Sequence, residues 1–265
     1  MKIRAFVRAI SLAMPLVLAC WMMVVDARVT TDADEDAPFQ VRFSAPDSSA
    51  AGEIVTLLDT GRRRIASFFD RPFIEPVTVE ICPDRAAFTA TFPPEWGLEE
   101  TQCWMVATGV ADRLTILSPR VWREQACEHD PDDLQHVEGI LIHELVHVYH
   151  GQSNPTRDFA GAEELGWFLE GLAVYVSGQL DDGHIAPAQE ALELGLAPES
   201  LEAAWSGKYR YGVCGSLVHY LDATCGRRRL TEMLGSTSQQ QLLEIAGLTE
   251  LELLASWRKF VAGSE

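Results

Sequence analysis

Basic residues are scarce in this chain, which has 21 lysines and arginines against 39 aspartates and glutamates and a formal net charge of −18. Residues 1–27 carry three basic side chains and one acidic side chain, so the chain without them has a charge of about −20. Such an acidic surface repels nucleic acid, and we expect no nucleic-acid partner.

From Phe39 onward the sequence contains no linker, internal repeat or low-complexity tract. Residues 28–38 are polar and acidic and are assigned as a linker, and residues 39–265 as one domain, which is long enough for a sizeable core. Periodicity predicts strands at Phe39–Phe43 and Val77–Ile81, with a helix at Glu53–Phe69 between them. The carboxyl half is predicted to be helical, with Leu251–Val261 as its last helix. This order predicts an α+β fold, with a small mixed sheet and helices followed by a mainly helical half.

The amino terminus has the composition of an export segment. Lys2, Arg4 and Arg8 precede an apolar run over residues 9–25, and Val25-Asp26-Ala27 fits a cleavage site. Cleavage, retention as a membrane anchor and lipid attachment at Cys20 all remain open. Each of them places the domain outside the cell membrane, in the periplasm or extracellular space, with membrane contact only through the anchor or lipid.

Cysteines are few, and five of the six follow residue 27, an odd number for a compartment where disulfides form. We predict a disulfide between Cys103 and Cys127. Cys214 and Cys225 are eleven positions apart on one predicted helix, too far to bond directly.

The strongest motif is His143-Glu144-Leu145-Val146-His147, inside the apolar run Ile140–Tyr149. Two histidines four positions apart share one face of a helix and can bind one metal ion, while Glu144 is placed to handle the proton of a metal-activated water. The simpler alternative is a buried helix whose histidines only form hydrogen bonds. We predict that this helix begins with Asp130 as its cap and Pro131 in its first turn, and that Gly151 ends it.

A zinc site with an open position needs a third protein ligand. Position 153 is Ser, which excludes a third histidine six residues after His147. His150 is interpreted as a histidine favoured by the dipole at the helix end. Glu163 and Glu164 are interpreted as a solvated helix start. Glu170 is the preferred ligand because it lies on a second predicted helix, Trp167–Val176, where Gly171 and Ala173 permit close helix packing.

These residues resemble the gluzincin metallopeptidases, in particular the peptidase MA-like domains and, more distantly, the aminopeptidase N type. Those proteins pair H-E-x-x-H with a downstream W-x-x-E-G-x-A helix, which here matches Trp167, Glu170, Gly171 and Ala173. The resemblance implies a zincin-like fold with the active site between its two halves. It also implies one Zn²⁺ per chain bound by His143, His147 and Glu170, with Glu144 as the base.

In the aminopeptidase relatives a tyrosine opens the following helix and donates a hydrogen bond to the oxyanion. The resemblance assigns this role to Tyr211, with Tyr209 and His219 as rival donors. Two features depart from the relatives. Position 174 is Val where thermolysin-like proteins have an aspartate, and the G-x-M-E-N motif that holds a free amino terminus is missing from the chain.

A peptide or protein substrate and endopeptidase action are therefore favoured over aminopeptidase action. Two predicted strands, at residues 104–110 and Arg113–Leu117, form either a sheet edge along which a peptide could pair or an interior hairpin. A zinc-binding module without turnover, chaperone-like or a pseudoenzyme, and a hydrolase of non-peptide amides remain as alternatives.

Overall fold

The computed structural model describes residues 38–93, 100–180 and 185–263. The predicted export segment and nearly all of the predicted linker lie outside the described residues. Within the described ranges the predicted α+β class is confirmed, since a small sheet precedes a long helical region. No helix in these ranges has the length and apolar character needed to cross a membrane.

The described residues form a sheet of four strands in the order β1-β2-β4-β3. Its strands are β1 (Phe39–Arg42), β2 (Val77–Cys82), β3 (Ala107–Val110) and β4 (Arg113–Leu117). β1 and β4 both lie parallel to β2, while β3 pairs antiparallel to β4 through a tight turn in which Ala111 has a φ of 56°. The predicted hairpin is therefore confirmed, and β3 lies at an edge of the sheet and not in its interior.

Helices form most of the rest of the described chain. They are α1 (Ser48–Phe69), α2 (Arg85–Thr89), α3 (Trp122–Gln125), α4 (Leu134–Ser153), α5 (Gly166–Ser177), α6 (Ile185–Glu193), α7 (Leu201–Ala204), α8 (Arg210–Cys225), α9 (Arg227–Met233), α10 (Gln239–Ala246) and α11 (Glu250–Val261). Both α2 and α4 contact the sheet. α4 is central because it contacts α1, α5 and the β3–β4 hairpin, and α5 packs in turn against α8.

The predicted ends of α4 are wrong by about one turn. The helix begins at Leu134, where Asp133 caps it by accepting a hydrogen bond from the His136 backbone N–H at 3.1 Å. The Asp130 carboxylate accepts from the Asp132 backbone N–H instead, in a turn before the helix. Gly151 lies inside α4, and a Cβ there would come within 2.5 Å of the Arg157 carbonyl oxygen. Gly151 therefore permits close packing and does not end the helix.

The predicted disulfide between Cys103 and Cys127 is confirmed. It joins the segment that leads into β3 to the segment that leads into α4, and so ties the hairpin to the central helix from its amino-terminal side. Cys214 and Cys225 do not bond to each other, as predicted, and both are free thiols, as is the buried Cys82.

Candidate metal centre

His143 and His147 of α4 meet Glu170 of α5 in one cluster, with one ligand atom from each residue lying within 4.8 Å of the others. The two Nε2 atoms are 3.2 Å apart. A carboxylate oxygen of Glu170 lies 3.3 Å from Nε2 of His143, and its other oxygen lies 3.8 Å from Nε2 of His147. The structure therefore brings together the three residues expected to share a metal.

These distances fit a metal ion. Tetrahedral coordination with bonds of about 2.0–2.1 Å places neighbouring ligand atoms roughly 3.3 Å apart, close to the 3.2 Å between the two Nε2 atoms and the 3.3 Å from Nε2 of His143 to a Glu170 oxygen. The side chain of His143 is 10% exposed, that of His147 is 12% exposed and that of Glu170 is 25% exposed. The cluster therefore reaches solvent on the Glu170 side. Three protein ligands with one accessible side would leave a bound metal room for a fourth, non-protein ligand.

The charges around the cluster favour a cation. Burial lowers the pKa of His143, but the carboxylates of Glu170 and Glu144 outweigh burial and raise this pKa to about 9. Burial raises the pKa of Glu170, but the two histidines and Arg210 lower it by more, so this carboxylate is ionised. Burial lowers the pKa of His147, whose imidazole is therefore neutral at pH 7. A metal cation would supply the positive charge that these side chains favour.

Gln179 orients His143. Its Oε1 atom lies 2.8 Å from Nδ1 of His143 and also accepts a hydrogen bond from the Ser177 hydroxyl at 3.2 Å. Because a carbonyl oxygen only accepts, Nδ1 of His143 donates to it, and Nε2 is the nitrogen that faces the cluster and could bind a metal. No role for Gln179 was predicted. It follows α5 directly, where Gly178, with a φ of 87°, turns the chain back towards α4.

We expect Gln179→Ala to weaken metal binding, measured with Zn²⁺, by about tenfold to a hundredfold, since partners of metal-bound histidines typically contribute this much. Titration of the variant against a competing chelator measures the effect. Gln152→Ala is the matched control, because Gln152 lies on α4, the helix of His143, but bonds to the backbone of Ile74 and Glu75. Equal affinity in Gln179→Ala and the unchanged chain would contradict this orienting role.

Glu144 is held beside the cluster by the edge strand. Its Oε2 atom accepts a hydrogen bond from the Gly109 backbone N–H of β3 at 2.7 Å. A Cβ at position 109 would lie 2.0 Å from the Glu144 carbonyl oxygen, so only glycine lets β3 approach α4 this closely. Glu144 is half-buried and is not among the three clustered ligands, as expected for a proton acceptor.

A cleft of about 710 Å³ opens over this arrangement. It is lined by Trp104, Met105, Val106, Ala107, Glu128, His129, Asp133, Gln135, His136, Gly139, Ile140, His143, Glu144, Gln179, Arg210 and Tyr211. The wall opposite α4 comes from β3 and the segment before it, next to the disulfide. The cleft is large enough for several residues of an extended peptide.

Tyr211 is the one of the three predicted oxyanion donors that lines the cleft. Its ring centroid lies 6.4 Å from that of His143. Burial and the nearby Glu170 carboxylate raise the pKa of Tyr211, so the phenol keeps its proton and can donate a hydrogen bond. Gly171 allows this placement, because a Cβ there would lie 2.3 Å from the Cys214 carbonyl oxygen of α8. The predicted close packing at Gly171 is thus made with α8.

The rival donors lie elsewhere. The ring of His219 stacks on Tyr175 at 5.0 Å and meets Phe260 edge-on at 5.1 Å, while Tyr209 packs partly against the core. Neither belongs to the cleft lining.

The other residues weighed as ligands also lie outside the cluster. His150 is buried, and its Nε2 donates a hydrogen bond to the Leu234 carbonyl at 3.1 Å. His150 lies in the last turn of α4 and outside the cluster, as interpreted, but burial lowers its pKa to about 3, so it is neutral and the helix dipole does not favour it there. Glu163 and Glu164 are exposed in a short 3-10 helix before α5, and Glu164 accepts a hydrogen bond from the Gln239 backbone.

A scan of protein-family models found none that matches this chain, and a search of curated proteins found no similar sequence. The function is therefore inferred from the site.

Proposed function

We propose that this chain is a zinc-dependent peptidase of the gluzincin type, with a zincin-like fold, that cleaves exported or extracellular peptides or proteins. One observation carries the proposal. Glu144 faces the cleft beside a His143, His147 and Glu170 cluster whose spacing suits a tetrahedral metal.

Two nitrogen ligands and one carboxylate, with one side open, are a common ligand set of catalytic zinc. Zinc bound there would lower the pKa of a water molecule and polarise the scissile carbonyl. The protein's own residues then move the proton: Glu144 accepts it from the water and returns it to the departing amine. The Gly109 N–H keeps one oxygen of Glu144 fixed, which leaves the other oxygen to face the water.

The edge position of β3 supports endopeptidase action. Val106 and Ala107 line the cleft at the start of this strand, and an extended peptide could pair with the outer side of the strand while its scissile carbonyl approaches Glu144. The missing G-x-M-E-N motif agrees with a site that does not hold a free amino terminus. The disulfide supports export, because such bonds persist in oxidising compartments.

Metal removal tests the proposal. The full chain, loaded with one equivalent of zinc, should cleave an unfolded protein, lose this activity after dialysis against a chelator and regain it when zinc is restored. Zinc bound at one equivalent without cleavage of any protein or peptide would instead support a binding module that does not turn over. Cleavage that persists in chelator would contradict the metallopeptidase proposal.

We expect Tyr211→Phe to lower kcat by about a hundredfold, because a single oxyanion donor typically contributes about 3 kcal/mol to transition-state stabilisation. KM should change little, since the phenol donates to charge that develops during the reaction. Tyr209→Phe is the control and should retain its turnover rate. Steady-state kinetics on one peptide compare the variants, and similar kcat values in both would assign the oxyanion role to another group.

A further inference from the structure

Among the described residues that line the cleft, Arg210 is the one lysine or arginine. Three carboxylates, Glu128, Asp133 and Glu144, share that lining, and the whole chain carries a net charge of −18. Arg210 therefore places a permanent positive charge in a cleft whose other charged side chains are mostly carboxylates.

Aromatic rings hold the Arg210 guanidinium in place. Its central carbon lies 5.3 Å from the centroid of the Trp205 ring and 5.0 Å from that of Tyr211. Nη1 also donates a long hydrogen bond, 3.5 Å, to the Gly207 carbonyl. Stacking on aromatic faces fixes a guanidinium while leaving N–H groups at its edge able to bind a ligand.

Arg210 forms no ion pair with the described residues. Other arginines of the chain do, such as Arg120 with Asp47 and Arg227 with Asp222. Within the described ranges, no carboxylate oxygen lies within the 4.0 Å that defines such a pair for Arg210. A guanidinium fixed by rings and not paired with a protein carboxylate is suited to bind a carboxylate from outside.

Its position is next to the reaction centre. Arg210 directly precedes Tyr211, and the ring of Tyr211 lies 6.4 Å from that of His143. The planar guanidinium can bind a carboxylate with two parallel hydrogen bonds, which defines both the charge and the orientation of the bound group.

We propose that Arg210 binds a carboxylate of the substrate close to the scissile bond, so that the enzyme prefers peptides with a negative charge there. This inference rests on the proposed peptidase function. Two sources have the required chemistry: the free carboxyl terminus of a peptide, and the side chain of an aspartate or glutamate near the cleavage point.

The test begins with mapping of the cleavage sites that the zinc-loaded chain produces in an unfolded protein. One cleaved peptide is then made in two forms, with a free carboxyl terminus and with a carboxyl-terminal amide. In further variants of this peptide, each aspartate or glutamate near the cleavage point is replaced by asparagine or glutamine. If no cleavage is found, the same peptide pairs are taken from an arbitrary unfolded sequence. Dissociation constants are measured by calorimetry on the zinc-loaded Glu144→Gln variant, so that binding is tested independently of turnover.

We expect one of the acid peptides to bind about tenfold to a hundredfold more tightly than its amide, the range for a hydrogen-bonded charge pair. The pair that shows the difference identifies the source of the carboxylate. Arg210→Gln should remove the difference by weakening binding of the acid alone, and Arg210→Lys should restore part of it. Arg228→Gln, an exposed arginine of α9 outside the cleft lining, should leave the difference unchanged.

Equal affinity for acid and amide in every pair would overturn the role of Arg210, whether or not the chain cleaves peptides. Equal weakening of acid and amide by Arg210→Gln, with zinc content retained, would also overturn it and indicate a structural role beside Tyr211. Absence of metal-dependent cleavage would refute the proposed function instead, and the calorimetric result would still decide whether Arg210 selects carboxylates.

Discussion

Replacement of Glu170 by alanine is expected to weaken zinc binding by more than about a hundredfold, because even the loss of a partner that only orients a ligand costs tenfold to a hundredfold. Glu170 contributes the one carboxylate of the cluster, 3.3 Å from His143 and 3.8 Å from His147. Without it, two imidazoles from one helical turn would hold the ion from one side only. Proteolytic activity should fall with the metal content.

The fold should survive this change. Glu170 is 25% exposed, and its ion pairs in the structure are with the two ligand histidines, so its removal leaves the packing of α5 against α8 in place. Circular dichroism measured in chelator should therefore match that of the unchanged chain, whereas loss of the ion pairs with the histidines should lower the thermal midpoint. Zinc stabilises the state that binds it, so added zinc should raise the midpoint of the unchanged chain and not that of the variant.

Glu164→Ala is the matched control, since Glu164 lies six residues earlier, is exposed and accepts a hydrogen bond from the Gln239 backbone. It should bind one equivalent of zinc with unchanged affinity in a competition titration. Normal metal content in Glu170→Ala would refute the assignment of Glu170 as a ligand.

The three clustered residues were predictable because their geometry is mostly local. A spacing of four residues places His143 and His147 on one face of a helix, independently of how that helix packs in the fold. Glu170 needed a second helix and a match to a longer motif, and its distance from the histidines depends on how α4 and α5 pack. The strands and helices with clear periodicity, such as β2 and α1, were found for the same local reason.

The features that were missed or mistaken depend on contacts distant in sequence. Gln179 lies in a turn after α5 and reaches His143 only because Gly178 redirects the chain towards α4. Asp130 and Gly151 have the residue types that mark helix ends, but the first forms a turn and the second relieves crowding at the Arg157 carbonyl. The charge state of His150 depends on burial against the rings of Phe159 and Phe168 and on the Leu234 carbonyl, which residue type alone does not reveal.

We expect Glu144→Gln to lower kcat by about a thousandfold to ten thousandfold, at the upper end of the range for a general base, because Glu144 would act on the proton twice. Glutamine has nearly the same shape, and its amide oxygen can still accept the hydrogen bond from the Gly109 N–H at the position of Oε2. It cannot accept a proton from water at neutral pH. Fold, cleft and zinc site should therefore remain while turnover is lost.

The decisive measurement pairs zinc content with kcat on the same preparation. One equivalent of zinc with turnover reduced at least a hundredfold supports Glu144 as the group that moves the proton. Glu138→Gln is the control, because Glu138 lies on the same helix, carries the same charge and does not line the cleft. If the Glu144→Gln variant kept a tenth or more of the activity, proton transfer would be assigned to another group. We expect instead that turnover requires the Glu144 carboxylate.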